Sequence, residues 1–520
     1  MTTSTHDDVP RGTVHEGEFA GAAYPGASHR YAVYLPAHHD GSALPVSVFL
    51  DGLTLFQSDQ VRATTVLDDL IAQRRIPPMM GVFVDPGTAA ALGPDQQARW
   101  ERSVESDAVS DRLSRFRLDE LIPVAEAFSP VREGVEDAAI LGISSGAVGA
   151  FMAAWHRPDR IRRVGSFIGT YLAIRGGDEI AGLVRRTEPR PLRIRLHAGE
   201  FDHVTSEQPY GVFNAGHWLV ANQALYHGLR YAGYDVSLTV SPGGHDLEYP
   251  GALLPEFLAD LWAGWDAAGS APTIVARPPA EIESSGWETR GNVWSLIDEA
   301  NDWEPSDAET AAAVFESDRF IATPDGIRFS DGRMLLPDFS ATRVLWDGGD
   351  RIYVLETGTS RLGVIHLSSL SPSIRWHETR LTAPSAFALS PDHGQLIVGD
   401  SASRHQWSFQ LDADGQPLNG EPFFRLETLD DAGGATDVAT DSTGGVLFAT
   451  ALGIQVCEAI GRVTVILNPP RPNGVTTSVA FGGENLDRLY VVHDGEAWSR
   501  HMRVHAVRVD QPAMPDSPPL

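Results

Sequence analysis

Ala139-Ile-Leu-Gly-Ile-Ser144-Ser-Gly-Ala-Val-Gly-Ala-Phe151 runs from an apolar stretch through Gly142-x-Ser144-x-Gly146 into a segment crowded with small residues. The apolar half reads as a buried strand and the second half as a helix. Glycines two positions either side of a serine let strand and helix approach closely while the serine is held in a strained backbone. Ser144 is therefore the candidate nucleophile. The backbone N–H of its neighbour Ser145 is a candidate donor to the oxyanion of an acyl-transfer reaction.

A serine of this kind needs a base and an orienting acid. Downstream, Val236-Ser-Leu-Thr-Val240 reads as a strand, Ser241-Pro-Gly-Gly as a turn, and His245 follows. This is where a catalytic histidine belongs, in a loop after the last strand. Most of the other seventeen histidines fall in helix-like or loop-like stretches, where ordinary hydrogen bonding accounts for them. Between Ser144 and His245, Leu192-Arg-Ile-Arg-Leu-His-Ala-Gly-Glu200-Phe-Asp202 ends a strand-like run with two carboxylates. Asp202 is the preferred acid and Glu200 the alternative. A second oxyanion donor is expected after an early strand, where Phe49-Leu-Asp51-Gly52-Leu53 offers the amide of Gly52 or of Leu53.

Around these motifs, residues 30–265 alternate apolar runs with amphipathic stretches. Strands are expected at Val46–Leu50, Gly81–Val84, Ala138–Ile143, Val164–Ile168, Leu192–His197 and Val236–Val240. Helices are expected at Thr64–Arg74, Arg115–Phe128, Ala147–His156, Val220–Tyr231 and Leu254–Ala267. Such alternation predicts an α/β domain with a doubly wound, mostly parallel sheet, and with the elbow and the Ser, acid, His order it predicts an α/β-hydrolase over residues 1–267. Residues 268–285, rich in Ala, Ser and Pro, read as a linker. Residues 286–520 read as all-β. Thr342, Ser385, Thr436 and Thr477 open four similar strand-turn-strand segments, 43, 51 and 41 residues apart. That period suits the four-stranded blade of a β-propeller with five or six blades, and residues 285–325 match the repeat poorly. A β-sandwich is the alternative.

Composition narrows the function classes. The chain has 520 residues and a formal net charge of −29, which disfavours nucleic acid and anionic membrane surfaces. All forty basic residues are Arg, so lysine nucleophiles and Schiff bases are excluded. The lone Cys457 allows no internal disulfide and reads as a buried, inert thiol. No 18-residue apolar run occurs and the N-terminus lacks a basic and apolar leader, so the expectation is a cytoplasmic protein.

Residues 30–265 resemble the esterase D and enterochelin esterase family. The likeness is carried by Arg30-Tyr-Ala-Val-Tyr-Leu-Pro36, Leu50-Asp51-Gly52, the Ser144 elbow, Ala154-Trp-His-Arg-Pro-Asp159, Asn222-Gln-Ala-Leu225 and Gly-Gly-His245-Asp246. The stretch from Arg102 to Asp111 is similar to a subgroup fused to a gluconolactonase-like propeller. The resemblance implies hydrolysis of carboxylic esters, in that family those of siderophores, acylated sugars, phenolic acids or small thiols, by Ser144, His245 and Asp202 without a cofactor. Two departures stand out: Ser145-Gly-Ala-Val148, where many members have Gly-Gly, and an insertion-like segment 204–216. Arg102, Glu105 and Arg175 are candidate substrate contacts.

From Ala383 to Val492 the chain resembles the senescence marker protein and gluconolactonase family of six-bladed propellers, through Leu389-Ser-Pro-Asp392, Asp441 and Thr477 to Gly483. That resemblance implies a divalent cation on the propeller axis held by Glu, Asn and Asp. Here the motifs read Pro384-Ser385-Ala386 and Ala435-Thr436-Asp437, so two oxygen-rich ligands are replaced. The expectation is a propeller without metal that covers the active-site mouth or helps build a homo-oligomer. The competing readings are a metal-dependent lactonase centred on the propeller, an acyltransferase on the first domain, and a binding or scaffolding protein in which neither domain is catalytic.

Overall fold

Six runs lie side by side as parallel strands, the inner ones apolar because their side chains are buried on both faces of one sheet. In a computed structural model they are ordered Asp235–Ser241, Arg193–Gly199, Arg163–Phe167, Ala138–Ile143, Val46–Leu50 and Met80–Val84. Ala27–Leu35 then joins antiparallel, with Thr13–Phe19 antiparallel to it. Every residue of Met80–Val84, Val46–Leu50, Ala138–Ile143 and Arg163–Phe167 is buried, whereas the strand Asp235–Ser241 at the sheet edge is mostly part-exposed. The structure describes residues 9–508, apart from 205, 209–210, 214–215, 269–271, 277–281, 285–286, 290–295, 298–301, 316–319, 370 and 430–432.

One face of this sheet, through Phe49, Phe83, Leu141, Ile143 and Phe167, packs with the helices Ala63–Ala72 and Glu248–Leu261 in one apolar core. The helix Ser145–His156 packs against the strands Ala138–Ile143 and Arg163–Phe167 and takes no part in that core, which puts it on the other face. All twelve of its residues are buried, so its run of Gly and Ala serves close packing. The expected helix 254–267 instead spans Glu248–Leu261. It starts earlier because Pro250 is tolerated in a first turn, and Gly264, at φ +75°, lies in the turn beyond its end. The expected helix 115–128 is broken into Arg112–Arg115, a wider π turn at Phe116–Leu121 and Ile122–Glu126.

The chain divides into two compact units. The first is Met1–Arg185 with Pro189–Ile282, and the second is Arg186–Glu188 with Glu283–Leu520. Half of the expected linker, residues 269–271, 277–281 and 285, lies outside the described residues. Its residues Thr273 and Ile274 are tied to the first unit, since Glu136 accepts from Thr273 Oγ1 and from the amide of Ile274.

The second unit is a propeller of five sheets among the described residues. Four begin at Ala341, Pro384, Asp437 and Thr476, so the sequence repeat marks the leading strands of four successive blades. The other blade has three strands, Phe320–Thr323, Gly326–Phe329 and Met334–Pro337. Most of the stretch 285–325 that matched the repeat poorly precedes this blade and includes the helix Ala308–Phe315, and among the described residues the blades number five. Glu304–Pro305, which precedes the first blade, pairs with Glu496–His501 of the last and covers an edge that would otherwise be open. Cys457 is buried in the strand Gly453–Cys457, and burial pushes its thiol pKa up, as expected of an inert cysteine.

Candidate active site

The elbow forms because no alternative backbone fits. Ser144 sits at φ +61°, ψ −122°, a strained conformation for a residue with a side chain, between the strand Ala138–Ile143 and the helix Ser145–His156. A Cβ on Gly142 would lie 1.9 Å from the carbonyl oxygen of Gly146, and one on Gly146 would lie 2.7 Å from Asp51 Oδ2. Neither position admits a side chain without moving the backbone or the oxyanion-side loop.

Three residues far apart in the chain converge at the carboxyl edge of the sheet. His245 Nε2 lies 2.9 Å from Ser144 Oγ, and His245 Nδ1 lies 2.8 Å from Asp202 Oδ1. Asp202 is buried, and its Oδ1 also accepts from the amide of His203 at 2.7 Å. Glu200, the alternative acid, is exposed and uses its own amide on the Ser241 carbonyl. The two oxyanion candidates on the early loop part company. The amide of Leu53 donates to Asp85 Oδ1 at 3.0 Å, whereas no hydrogen bond from the amide of Gly52 or of Ser145 is found among the described residues. Of the two alternatives, Gly52 is the one whose amide, like that of Ser145, makes no hydrogen bond among the described residues.

The candidate substrate contacts also separate. Arg102 lines the cleft, but its Nε and NH2 donate to the two oxygens of Asp51 at 2.8 and 3.0 Å and its NH1 donates to Ser145 Oγ at 3.1 Å. It braces the oxyanion loop against the elbow. Glu105 is only 1% exposed and is occupied by His29 and the amide of Gly87, so the expectation that it meets substrate does not hold. Arg175 is exposed and donates to Ser103 Oγ; it is not among the residues lining the cleft. The inserted segment holds a short hairpin, Ser206–Gln208 with Gly211–Phe213. The cleft of about 340 Å3 beside Ser144 is walled by Leu55, Pro86, Trp100, Ile143, Ile168 and Leu247.

Sequence reading missed Thr170, whose hydroxyl lies 3.1 Å from Ser144 Oγ, and Trp218, whose ring meets that of His245 edge-on at 5.6 Å. The one available signal was position, since Thr170 follows the carboxyl end of a central strand, where α/β sheets gather ligands. His197, also at a strand end, is buried with Nε2 2.8 Å from Ser241 Oγ. Burial lowers its pKa from 6.5 to about 4, against the opposing pull of Asp202 and Asp246. The unfolded chain then binds the proton more readily, so this stabilisation is complete above pH 6.5 and is lost as pH falls toward 4, on the order of 3 kcal/mol in all. His197→Gln is expected to lose less melting temperature than the parent between pH 7 and 4.5. Equal losses in the two proteins would place the acid lability elsewhere.

A nucleophile elbow, a histidine and a buried aspartate arranged in this way on a mostly parallel sheet define the first unit as an α/β-hydrolase domain. In keeping with that, residues 22–261 match the family described as "Putative esterase", and residues 305–494 match the SMP-30/Gluconolactonase/LRE-like region. The chain thus joins a domain similar to esterases to a propeller similar to gluconolactonases. Among curated proteins it is similar to the iron(III) enterobactin esterase of Escherichia coli strain K12, 28% identical over 240 residues, covering 45% of this chain and 54% of that protein. The corresponding enzyme of strain CFT073 is 27% identical over 242 residues, with the same coverage. The chain spans about half the length of these curated relatives. Among solved structures it is similar to a ferulic acid esterase, at 18% identity and TM-score 0.38, over 48% of this chain and 98% of that one. It is also similar to the enterobactin esterase of Shigella flexneri, at 24% identity and TM-score 0.38, over 49% and 61%.

The divalent cation that the propeller family implies does not fit the residues present. Ser385 Oγ donates to the Ala435 carbonyl at 2.6 Å and Thr436 Oγ1 to the Thr476 carbonyl at 2.8 Å. Asp437 Oδ2 accepts from the amide of Val479 at 3.0 Å, and its Oδ1 lies 3.9 Å from Arg343. Arg343 Nε also donates to the Ser385 carbonyl at 3.1 Å, so a guanidinium reaches into the place where oxygen ligands would gather. Among the described residues no group of three His, Cys, Asp or Glu could hold a metal ion. Nor is any helix among them long and apolar enough to cross a membrane.

Proposed function

We propose that the protein is a serine-dependent carboxylic ester hydrolase and that Ser144, His245 and Asp202 are its catalytic triad. The observation that carries this reading is the continuous hydrogen-bonded series from Asp202 Oδ1 through both nitrogens of His245 to Ser144 Oγ. A carboxylate only accepts, so it holds Nδ1 protonated and leaves Nε2 as the base. Ser144 Oγ attacks the ester carbonyl while its proton passes to His245 Nε2. The amides of Gly52 and Ser145 hold the oxyanion, His245 returns the proton to the departing alkoxide, and water releases the acyl group by the same steps in reverse.

The apolar walls of the cleft suit an uncharged aliphatic or aromatic acyl group, and the engagement of Arg102 with Asp51 leaves it poorly placed to hold an anionic one. The likeness to the iron(III) enterobactin esterase supports including a siderophore-type catecholate ester among the first to try. The test is a panel of acetyl, butyryl, feruloyl and catecholate esters offered to purified protein. Turnover of any of them that is lost in Ser144→Ala supports the reading, and no turnover across the panel counts against it.

For the propeller we infer a part that does no metal chemistry, supported by the contacts of the Arg343 guanidinium with the Ser385 carbonyl and Asp437. A metal present at a hundred times its dissociation constant would stabilise the fold by about 2.7 kcal/mol, a shift of a few degrees in a large domain. Melting and esterase activity are expected to be unchanged by chelators and by added calcium, zinc or manganese. Lactonase activity that disappears with chelator and survives Ser144→Ala would make the propeller the working enzyme.

A further inference from the structure

We propose that Thr170 and Trp218 are positioning residues for the nucleophile: Trp218 turns the Thr170 hydroxyl to donate to Ser144 Oγ, leaving the single Ser144 proton aimed at His245. The inference rests on the triad reading and extends it. Its argument is the polarity of one hydrogen-bonded series. At one end Asp202 can only accept, which protonates His245 Nδ1 and leaves Nε2 needing a donor, 2.9 Å from Ser144 Oγ. Ser144 has one proton and gives it there. Its remaining partner, Thr170 Oγ1 at 3.1 Å, must then donate to it. At the other end the indole N–H of Trp218 can only donate, and it lies 3.4 Å from Thr170 Oγ1, so Thr170 accepts from Trp218 and its own proton remains for Ser144. The Asp202 end sets the direction, and the Trp218 end is compatible with it.

The segment is held for this geometry. Ile168 adopts φ +42°, a rare and costly conformation for a β-branched residue. Its amide donates to the His197 carbonyl at 2.8 Å, and the amide of Thr170 donates to the Ser144 carbonyl at 3.2 Å. Asn222 Nδ2 bridges the Gly169 and Trp218 carbonyls at 2.8 and 2.9 Å, tying the Thr170 loop to the helix Trp218–Ala232. Thr170 and Trp218 are both buried, so neither hydroxyl nor indole has solvent as an easy alternative. As Ser144 loses its proton, charge develops on Oγ and the bond from Thr170 becomes charge-assisted and stronger. An interaction that strengthens on the way to the transition state raises kcat and leaves KM alone.

Two readouts test this. The first is the rate at which a fluorophosphonate labels Ser144, located by mass spectrometry of the full chain, and the second is kcat and KM on 4-nitrophenyl acetate. Thr170→Val, which keeps the shape and loses the hydroxyl, is expected to lower labelling and kcat about tenfold, the worth of one such hydrogen bond, with KM little changed. Thr170→Ser is expected to restore most of the loss, and Trp218→Phe to fall between. Thr170→Val labelled at the parental rate would overturn the inference while leaving the triad intact. So would Thr170→Ser that melts like the parent yet stays as slow as Thr170→Val. A parent protein never labelled at Ser144 would instead overturn the triad reading, and the positioning role with it.

Discussion

Ser144→Ala is expected to abolish ester hydrolysis, a loss on the order of 10⁶ in turnover, as removal of a triad nucleophile gives in a serine protease. The size follows from the elbow. Ser144 alone is presented at φ +61° above the strand end, and the neighbouring helix begins with Ser145, whose side chain is buried. Ser145→Ala is expected to stay within about tenfold of the parent, because it loses the hydrogen bond from Arg102 and keeps the backbone amide proposed for the oxyanion. Initial rates on one ester with both variants decide the matter. Near-normal turnover by Ser144→Ala, or a larger loss in Ser145→Ala, would assign the nucleophile elsewhere.

Asp202→Asn is expected to lower kcat by roughly 10⁴ while the protein remains folded. The carboxylate accepts at once from His245 Nδ1 and from the amide of His203. An amide turned with its nitrogen toward His245 would move the ring proton to Nε2, and the base would then face Ser144 with a donor. Glu200→Gln is expected to be near parental, since that side chain is exposed. A reversed order of the two losses would transfer the role to Glu200.

Both serine and histidine were legible because their signals are local. An elbow requires small residues at fixed offsets, and Gly142 and Gly146 show why: their missing Cβ atoms would collide with backbone or with Asp51. His245 was legible from the strand, turn and glycines before it. The sequence preferred Asp202 and kept Glu200 as the alternative, because both follow the same strand end, and in the fold it is Asp202 that reaches the ring. Leu53 and Glu105 illustrate the same limit. Their residue types suited the expected roles, yet one amide is taken by Asp85 and the other side chain is buried with His29.

By itself the sequence pointed to the α/β architecture of the first domain, the β-repeat of the second, the Ser144 elbow and the His245 loop. Each of these is written in short-range patterns: apolar runs, glycine spacing and a repeat near 40–50 residues. Only the tertiary structure decided that the blades number five, that Asp202 is the partner of His245, that Arg102 braces Asp51, and that Thr170 and Trp218 stand behind the nucleophile. These depend on which long-range neighbours occupy each hydrogen-bonding group. A donor such as the Leu53 amide or an acceptor such as Asp51 has many possible partners along the chain, and packing selects one.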